Sequence, residues 1–275
     1  MKTFVFATDF SRNANNVAYF AAQLACKQDA KLVLFHAYRF LMPNYSDLGL
    51  VLESVEGLEQ IAFKKLENLK KRIHQKVDKN LLIETFVKEG FEVEAIRDAA
   101  KEVKANLLLM STVGEAPSGA RYFGSIATEM IQQSGVPLML IPPKTKFGAF
   151  DNLVLAIDLK KTIDAVVFER LIQLVKNMGA VLNLVYVAKS ETEVHSFAVE
   201  ETALRIRELL LEIPHTFQTI IGESATNEII KFTKKNKAQM LITLPKNHGF
   251  FDKFFNEQHT KRLAFDAGVP VLAVS

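Results

Sequence analysis

One stretch of the chain combines glycines, a serine hydroxyl and a helix start at a spacing that suits phosphate binding. The loop over residues 111–125 contains Gly114 and Gly124 and follows the apolar run 107–110. Glycines let a backbone come close to an anion, and the first N–H groups of a helix have no partner within it. The loop therefore predicts an anion site, with Ser125 as a helix cap or as a hydroxyl donor to a phosphate oxygen.

Two common explanations of a phosphate loop do not fit this sequence. The first strand is followed by residues 8–14 without a G-x-G-x-x-G turn, which counts against a Rossmann dinucleotide site. No G-x-x-x-x-G-K-[ST] occurs, which counts against a P-loop NTPase. Instead, Asp9 ends one predicted strand and the glycine loop follows another. In an open parallel sheet both would lie at the carboxyl edge, where ligands bind.

The elements that must position this loop alternate between strand and helix. Apolar runs predict five strands, at residues 4–7, 31–37, 83–87, 107–110 and 136–141. Apolar residues at helical spacing predict helices that start at Ser11, at Ile61 (to Val77), after Gly90 and at Ile126 (to Ile131). Residues 39–60 are rich in turn-forming types and predict an irregular excursion.

The same pattern begins again after a turn-rich linker at residues 142–148. Three landmarks recur. The spacing from Asp9 to Tyr38 is 29 residues, as is the spacing from Asp158 to Val187, and the 45 residues from Gly90 to Gly135 compare with 46 from Gly222 to Gly268. The tripeptide Gly-Val-Pro precedes the last strand of both copies. This duplication predicts two α/β domains, residues 1–143 and 151–275, each a five-stranded parallel sheet with helices on both faces.

Composition narrows the classes of partner and compartment. The 275 residues carry 34 basic and 31 acidic side chains without a long block of one sign, which counts against a dedicated nucleic-acid binder. The single cysteine excludes an internal disulfide and suits a reducing compartment. Neither a signal peptide nor a membrane-spanning apolar run is apparent, so we expect a cytoplasmic protein without a membrane partner.

With these landmarks in order, the sequence resembles the universal stress protein family. Nucleotide-binding members of that family carry G-x2-G-x9-G-[ST] after the fourth strand, and the first domain matches this as Ser111-x2-Gly114-x9-Gly124-Ser125. The Thr-Asp-Phe-Ser opening at residues 8–11, the strand end at 34–37 and the Gly-Val-Pro at 135–137 also fit. Because the repeat covers both halves, the chain resembles a tandem two-domain member.

The resemblance implies the adenine-nucleotide alpha-hydrolase-like fold and an ATP site, with or without magnesium, in the first domain. Carried over by position, it implies that Asp9 and the backbone of Ala37 hold the adenosine part. It implies that Met110 and Ser111 line the ribose and α-phosphate region. It implies that Gly114, Gly124, Ser125 and Ile126 cradle the phosphates. The sequence departs from the pattern at Ser111, where a Cβ would crowd the ligand or exclude a positive φ.

The second domain departs much further from the pattern. Its four corresponding positions are Leu244, Asn247, Glu257 and Gln258, so that no glycine remains and a negative charge stands where phosphates would lie. We therefore expect no ATP in this domain, although Asp158 persists. The aromatic-rich segment 249–255 is open to two interpretations. Its rings either fill the vacated pocket or pack on the sheet, or they form an interdomain or dimer surface.

Three hypotheses about function follow. In the first, ATP bound to domain one changes a conformation or an interface that a partner recognises. In the second, the protein is a slow ATPase or phosphotransferase, for which a metal and a base are needed; Arg121 could reach a γ-phosphate, but no carboxylate is clearly placed as the base. In the third, Ser111 closes the pocket and the protein is a nucleotide-free scaffold. The resemblance also implies that the two domains pair within the chain, and a homodimer stays open.

Overall fold

The chain alternates strands and helices throughout the part that can be described. A computed structural model describes residues 1–39, 48–114, 125–160, 164–244 and 266–274. The strands are β1 (Lys2–Ala7), β2 (Ala30–Tyr38), β3 (Ile83–Glu89), β4 (Leu107–Ser111), β5 (Leu138–Ile141), β6 (Asn152–Ala156), β7 (Val181–Ala188), β8 (His215–Ile221), β9 (Met240–Thr243) and β10 (Val271–Ala273). The helices are α1 (Arg12–Lys27), α2 (Leu48–Lys76), α3 (Glu92–Glu102), α4 (Ser125–Gln133), α5 (Ala165–Met178), α6 (Glu191–Val194), α7 (Phe197–Leu209) and α8 (Ala225–Lys235).

By their contacts the residues divide into two compact units. The first unit holds Met1–Leu138 and Pro143–Phe147, and the second holds Met139–Pro142 and Gly148–Ser275. Each sequence repeat contributes the five strands predicted for it, β1–β5 and β6–β10. In the first unit the strand order is β3-β2-β1-β4, and in the second it is β10-β9-β6-β7-β8. These neighbours pair in parallel, so the protein has the expected α/β fold.

The central strands and the helices that cover them form because their apolar residues match the strand and helix periods. In β1 every residue after Lys2 is buried, and in β4 every residue before Ser111 is buried, as expected of parallel strands covered on both faces. Helix α1 begins after Ser11, whose side chain accepts a hydrogen bond from the Ala14 N–H. Its apolar stripe packs on the sheet, with Phe20 and Leu24 almost completely buried.

The predicted irregular excursion over residues 39–60 is wrong from Leu48 onward. Helix α2 begins at Leu48 rather than at Ile61 and continues without a break to Lys76. Gly57 does not interrupt it, because a single glycine in a helix costs only about 1 kcal/mol relative to alanine. The turn-forming residues that suggested an excursion are concentrated in 40–47, which lie outside the described residues.

The repeat is confirmed by matching hydrogen bonds, with one correction to its alignment. Gly90 donates to the Tyr38 carbonyl at 3.0 Å and Gly222 donates to the Ala188 carbonyl at 2.9 Å. Tyr38 therefore corresponds to Ala188, and the equal spacing that matched it to Val187 is off by one residue. The strand register agrees, since Ala7 faces Phe35 whereas Ala156 faces Val185. The connection between the first two strands is thus one residue longer in the second repeat.

The corrected alignment decides which side chains occupy equivalent places at the ends of the strands. Val187 corresponds to Ala37, and Tyr186 corresponds to His36. The last strands match without correction. The Leu108 N–H donates to the Pro137 carbonyl at 2.9 Å, and the Leu241 N–H donates to the Pro270 carbonyl at the same distance. Among the helices that the structure describes, none combines the length and apolar character that crossing a membrane requires.

Candidate functional site

The residues predicted to bind a ligand lie at the carboxyl edge of the first unit. Strand β1 lies between β2 and β4, and Ala7 is level with both Phe35 and Met110. Asp9 follows β1 by two residues and is exposed, while Ala37 in β2 is half-buried. The parallel arrangement thus directs three strand ends to one edge, as the sequence predicted.

Asp9 and Gly114 come into close approach across this edge. A Cβ added to Gly114 would lie 2.5 Å from Oδ2 of Asp9, so this position has no room for a side chain while the carboxylate stays in place. The glycine is needed for space, because Gly114 is not among the residues with positive φ. The Asn13 side-chain amide donates to the Gly114 carbonyl at 3.3 Å, and Oδ1 of Asp9 accepts from the Ser11 N–H at 2.9 Å. The two turns therefore hold each other in position.

Ser111 fits the turn after β4 without backbone strain. The Ser111 hydroxyl donates a hydrogen bond to the Val113 carbonyl oxygen at 2.8 Å. The Val113 N–H in turn donates to the hydroxyl oxygen of Ser111 at 3.3 Å. Ser111 does not have a positive φ, so the glycine that the family pattern has here is not required by the backbone. Met110 beside it is buried, with 8% of its surface exposed, which makes Ser111 the more accessible of the two.

Helix α4 begins directly after the loop in the sequence. Ser125 is its first residue and is exposed, and Ile126 is half-buried. The first N–H groups of a helix lack intrahelical partners, so this end of α4 can accept an anion. Gly124 and Arg121 lie outside the described residues. The described residues thus show Asp9 close to Gly114, with the strand end that carries Ala37 at the same edge of the sheet.

Sequence reasoning missed a contact between two rings beside Asp9. Phe10 has a φ of 62°, a left-handed conformation that costs roughly 1–2 kcal/mol for a residue with a side chain. Its ring lies 4.3 Å from that of His36, centroid to centroid, and Nζ of Lys65 lies 5.3 Å from the Phe10 centroid. The one available signal was a large ring directly after the turn-forming aspartate.

His36 is held in one tautomer at this edge. Its Nδ1 lies 2.7 Å from the Thr8 carbonyl oxygen, which only accepts hydrogen bonds, so Nδ1 carries the proton. Burial lowers the pKa of His36, and Lys65 lowers it further, against the raising influence of the Thr8 carbonyl and Asp9. The ring is therefore neutral at neutral pH.

The corresponding edge of the second unit carries a different set of side chains among the described residues. Oδ1 of Asp158 accepts from the Lys160 N–H at 3.1 Å, which repeats the turn made by Asp9. Tyr186, in the place of His36, is fully buried and donates its hydroxyl to Oε1 of Glu193 at 2.6 Å. Nζ of Lys160 lies 3.1 Å from the same oxygen. Sequence reasoning missed this Tyr186–Glu193–Lys160 cluster because Glu193 comes from α6, which no landmark predicted.

The cluster fixes its own protonation states. Burial raises the pKa of Tyr186, and its hydrogen bond to Glu193 raises it further, so the phenol stays protonated. Burial alone would raise the pKa of Glu193, but the hydrogen bonds from Tyr186 and Lys160 outweigh it and lower that pKa. Leu244, in the place of Ser111, is buried. Asn247, Glu257, Gln258 and the segment 249–255 lie outside the described residues.

The described residues also bear on metal binding. They contain no group of three or more histidine, cysteine, aspartate or glutamate side chains that could hold a metal ion.

Asp9 and Asp158, the two aspartates at the strand ends, each accept a hydrogen bond from the backbone two residues further on. Both repeats therefore use this aspartate to shape the turn after their first strand.

Comparison with known proteins gives a consistent result for both halves. A sequence profile described as the universal stress protein family matches residues 1–142 and again residues 149–275. A universal stress protein of Mycobacterium tuberculosis (strain ATCC 25618 / H37Rv) is 32% identical over 146 residues, which are 51% of this chain and 95% of that protein. The family assignment thus covers nearly the whole chain.

Solved structures share the fold over the full length of the chain. The crystal structure of a universal stress protein from Archaeoglobus fulgidus DSM 4304 matches with a TM-score of 0.66 at 16% identity, covering 99% of this chain and 96% of that one. The cytoplasmic domain of a prokaryotic cation chloride cotransporter matches with a TM-score of 0.54 at 12% identity, covering 99% and 95%. Because proteins of different function share this fold, the fold alone does not define what the chain does.

The first prediction concerns the close approach at Gly114. We expect Gly114→Ala to displace the Asp9 carboxylate and to lower the free energy of unfolding by about 1 kcal/mol, the typical worth of a hydrogen bond lost from the turn. The matched control is Gly148→Ala in the linker, where an added Cβ meets nothing within 4 Å and no helix is affected. Urea unfolding measures both; a Gly114→Ala protein as stable as the wild type would contradict the contact.

The second prediction concerns the pH dependence that Glu193 confers. Because the fold lowers the pKa of Glu193, its charge stabilises the native state above the ordinary carboxyl pKa, and this contribution disappears as pH falls through the lowered value. We expect Glu193→Gln to cost about 1–3 kcal/mol at pH 7 and progressively less in acid. Denaturant unfolding at a series of pH values tests this, with the exposed neighbour Glu191→Gln as control. A cost independent of pH would contradict the prediction.

Proposed function

The chain belongs to the universal stress protein family, and on that premise we propose that its first domain binds ATP and that the protein acts as a nucleotide-dependent regulator. The observation that carries the proposal is the approach of Asp9 to Gly114, in which a Cβ would lie 2.5 Å from the carboxylate oxygen. It joins the residue assigned to the nucleoside with the first glycine of the phosphate loop. This proximity supports a site in which the nucleoside end lies beside the start of the phosphate loop.

The residues divide between the two ends of the ligand. Asp9 and the backbone of Ala37 hold the adenosine part, and Met110 and Ser111 lie between it and the phosphates. Gly114, Gly124, Ser125 and Ile126 receive the phosphates through backbone N–H groups and the Ser125 hydroxyl. The Ser111 hydroxyl already donates to the Val113 carbonyl within the chain. This supports placing Ser111 between the two ends of the ligand rather than among the groups that bind the phosphates. Magnesium, where present, would accompany the phosphates.

The second domain binds no ATP in this proposal. Tyr186 and Glu193 occupy the edge where His36 and its neighbours lie in the first domain, and Glu193 brings a negative charge. Leu244 replaces Ser111 and is buried. One nucleotide per chain then gives the protein two states, loaded and empty, that a partner can distinguish. The pairing of the two domains within the chain is likewise a proposal, which a scattering profile of two separated lobes would contradict.

Calorimetric titration of ATP with magnesium into the intact chain tests the site. We expect one ATP per chain, and at least tenfold weaker binding in Gly124→Asp, because the added carboxylate repels the phosphates. Gly148→Asp is the matched control, since Gly148 has open space around it in the linker. Absence of heat from the wild type would contradict ATP binding, and equal heats from wild type and Gly124→Asp would place the site elsewhere. Phosphate release lost in Gly124→Asp would favour an ATPase.

The two equivalent aspartates provide a test of the nucleoside end. We expect Asp9→Ala to weaken ATP binding at least tenfold and Asp158→Ala to leave it unchanged, although both substitutions remove the same backbone hydrogen bond from a turn. The pair separates a role in binding from a role in turn stability. Equal affinities in the two variants would remove Asp9 from the site.

A further inference from the structure

Helices α1 and α2 of the first unit carry exposed positive charges that no carboxylate interrupts. Helix α1 contains no aspartate or glutamate, and residues 61–76 of α2 contain only Glu67. Glu67 is held against the neighbouring strand, where its Oε1 accepts a hydrogen bond from the Thr85 hydroxyl at 2.8 Å. The exposed cations of α2, together with Arg12 and Lys27 of α1, are called the cationic face below; those of α2 are Lys64, Lys65, Lys71, Arg72 and Lys76.

The two helices lie side by side, so that their cations belong to one surface. Nζ of Lys76 lies 5.0 Å from the ring centroid of Tyr19 in α1. Nζ of Lys65 lies 5.3 Å from the ring centroid of Phe10, just before α1. Lys65 and Lys76 are about three helical turns apart, which places both on the side of α2 next to α1 and separates them by about 16 Å along the axis.

Polar side chains fill the positions between the cations. On α1 the exposed residues recur at intervals of four, seven and four, which is one side of the helix, as Arg12, Asn16, Gln23 and Lys27. On α2, Asn68 and Gln75 are exposed between the cations. Asparagine and glutamine amides, like lysine and arginine, are the groups that bind phosphate oxygens in nucleic-acid complexes.

The charges of the cationic face are not neutralised within the described part of the chain. None of its cations pairs there with a carboxylate, whereas Lys31, Lys88 and Lys160 elsewhere do. Arg72 and Lys76 are one turn apart, and like charges at this spacing destabilise a helix. An anionic partner would remove this repulsion.

We propose that the cationic face binds the phosphate backbone of a nucleic acid without regard to base sequence. Lysine and arginine clustered on one side of a domain are the electrostatic footprint of such binding. The whole-chain balance of 34 basic and 31 acidic side chains does not reveal this face, because a total does not show where the charges lie. The proposal does not depend on ATP binding.

The cationic face suits a nucleic acid better than a membrane. Helices that lie on membranes combine their basic side with large apolar side chains that enter the lipid. In α2 the apolar side, with Leu66, Leu69 and Ile73, is completely buried in its own unit. Ile61 and Phe63 are exposed, but two residues correspond to about 200° around a helix, so they lie on opposite flanks. No continuous apolar edge therefore accompanies the cations.

Fluorescence anisotropy of the intact chain tests the binding. The probes are a labelled DNA duplex of mixed sequence, about 20 base pairs long, and a labelled single-stranded RNA of the same length. We expect at least one probe to bind at low salt and to lose about a hundredfold in affinity between about 50 and 200 mM salt, as release of counterions from about four phosphates requires. Absence of binding to both probes, or an affinity independent of salt, would overturn the proposal.

Paired charge reversals locate the binding on the molecule. We expect Lys71→Glu with Arg72→Glu to weaken binding at least tenfold, because two phosphate contacts become repulsive. The matched control is Arg97→Glu with Lys101→Glu on α3, which changes the net charge equally at exposed cations that lie among acidic residues. Lys71→Arg with Arg72→Lys retains the charges and should retain the affinity. Equal losses in the reversal and its control would overturn the assignment to this face.

Vesicle sedimentation separates a nucleic acid from a membrane. The vesicles contain phosphatidylcholine with phosphatidylserine, and vesicles of phosphatidylcholine alone are the control. Binding to the anionic vesicles that disappears in the double reversal, together with no binding to either nucleic-acid probe, would overturn the proposal in favour of a membrane.

Discussion

The close approach of the Asp9 carboxylate to Gly114, which leaves no room for a Cβ there, is the constraint on which the candidate site depends. It requires β1 to lie beside β4, an aspartate to follow β1 and a residue without a side chain to follow β4. Asn13 adds a hydrogen bond to the Gly114 carbonyl, so the start of α1 is tied to the same turn. The strained Phe10 follows Asp9 directly, and backbone strain of this kind persists only where the surroundings enforce it.

The two repeats share a scaffold but treat this edge differently. Both end their first strand with an aspartate that accepts a hydrogen bond from the backbone two residues later. In the first unit the His36 ring contacts the Phe10 ring, whereas in the second Tyr186 donates to Glu193, which also pairs with Lys160. A scaffold that is stable with either set can change the chemistry at its edge without changing its core. The two repeats therefore place different side chains at the same edge of a shared scaffold.

The sequence was sufficient for the strands and the repeat because apolar runs, glycines and Gly-Val-Pro are local signals. It placed Asp9, Ala37 and Gly114 at one edge because parallel strands end together. It failed at the start of α2, where turn-forming residues before Leu48 obscured a helix that tolerates Gly57. It also missed Phe10, Asn13 and the Tyr186–Glu193–Lys160 cluster, because these depend on contacts between distant segments that no local pattern records.

The most direct test of the account is a crystal structure of the protein grown with ATP and magnesium. The account predicts electron density for one adenine nucleotide per chain, with the base beside Asp9 and Ala37 and the phosphates between Gly114 and Ser125. It predicts none beside Asp158, in the unit where Tyr186 donates a hydrogen bond to Glu193. A nucleotide bound at the second domain, or a first domain that stays empty at saturating ATP, would contradict it.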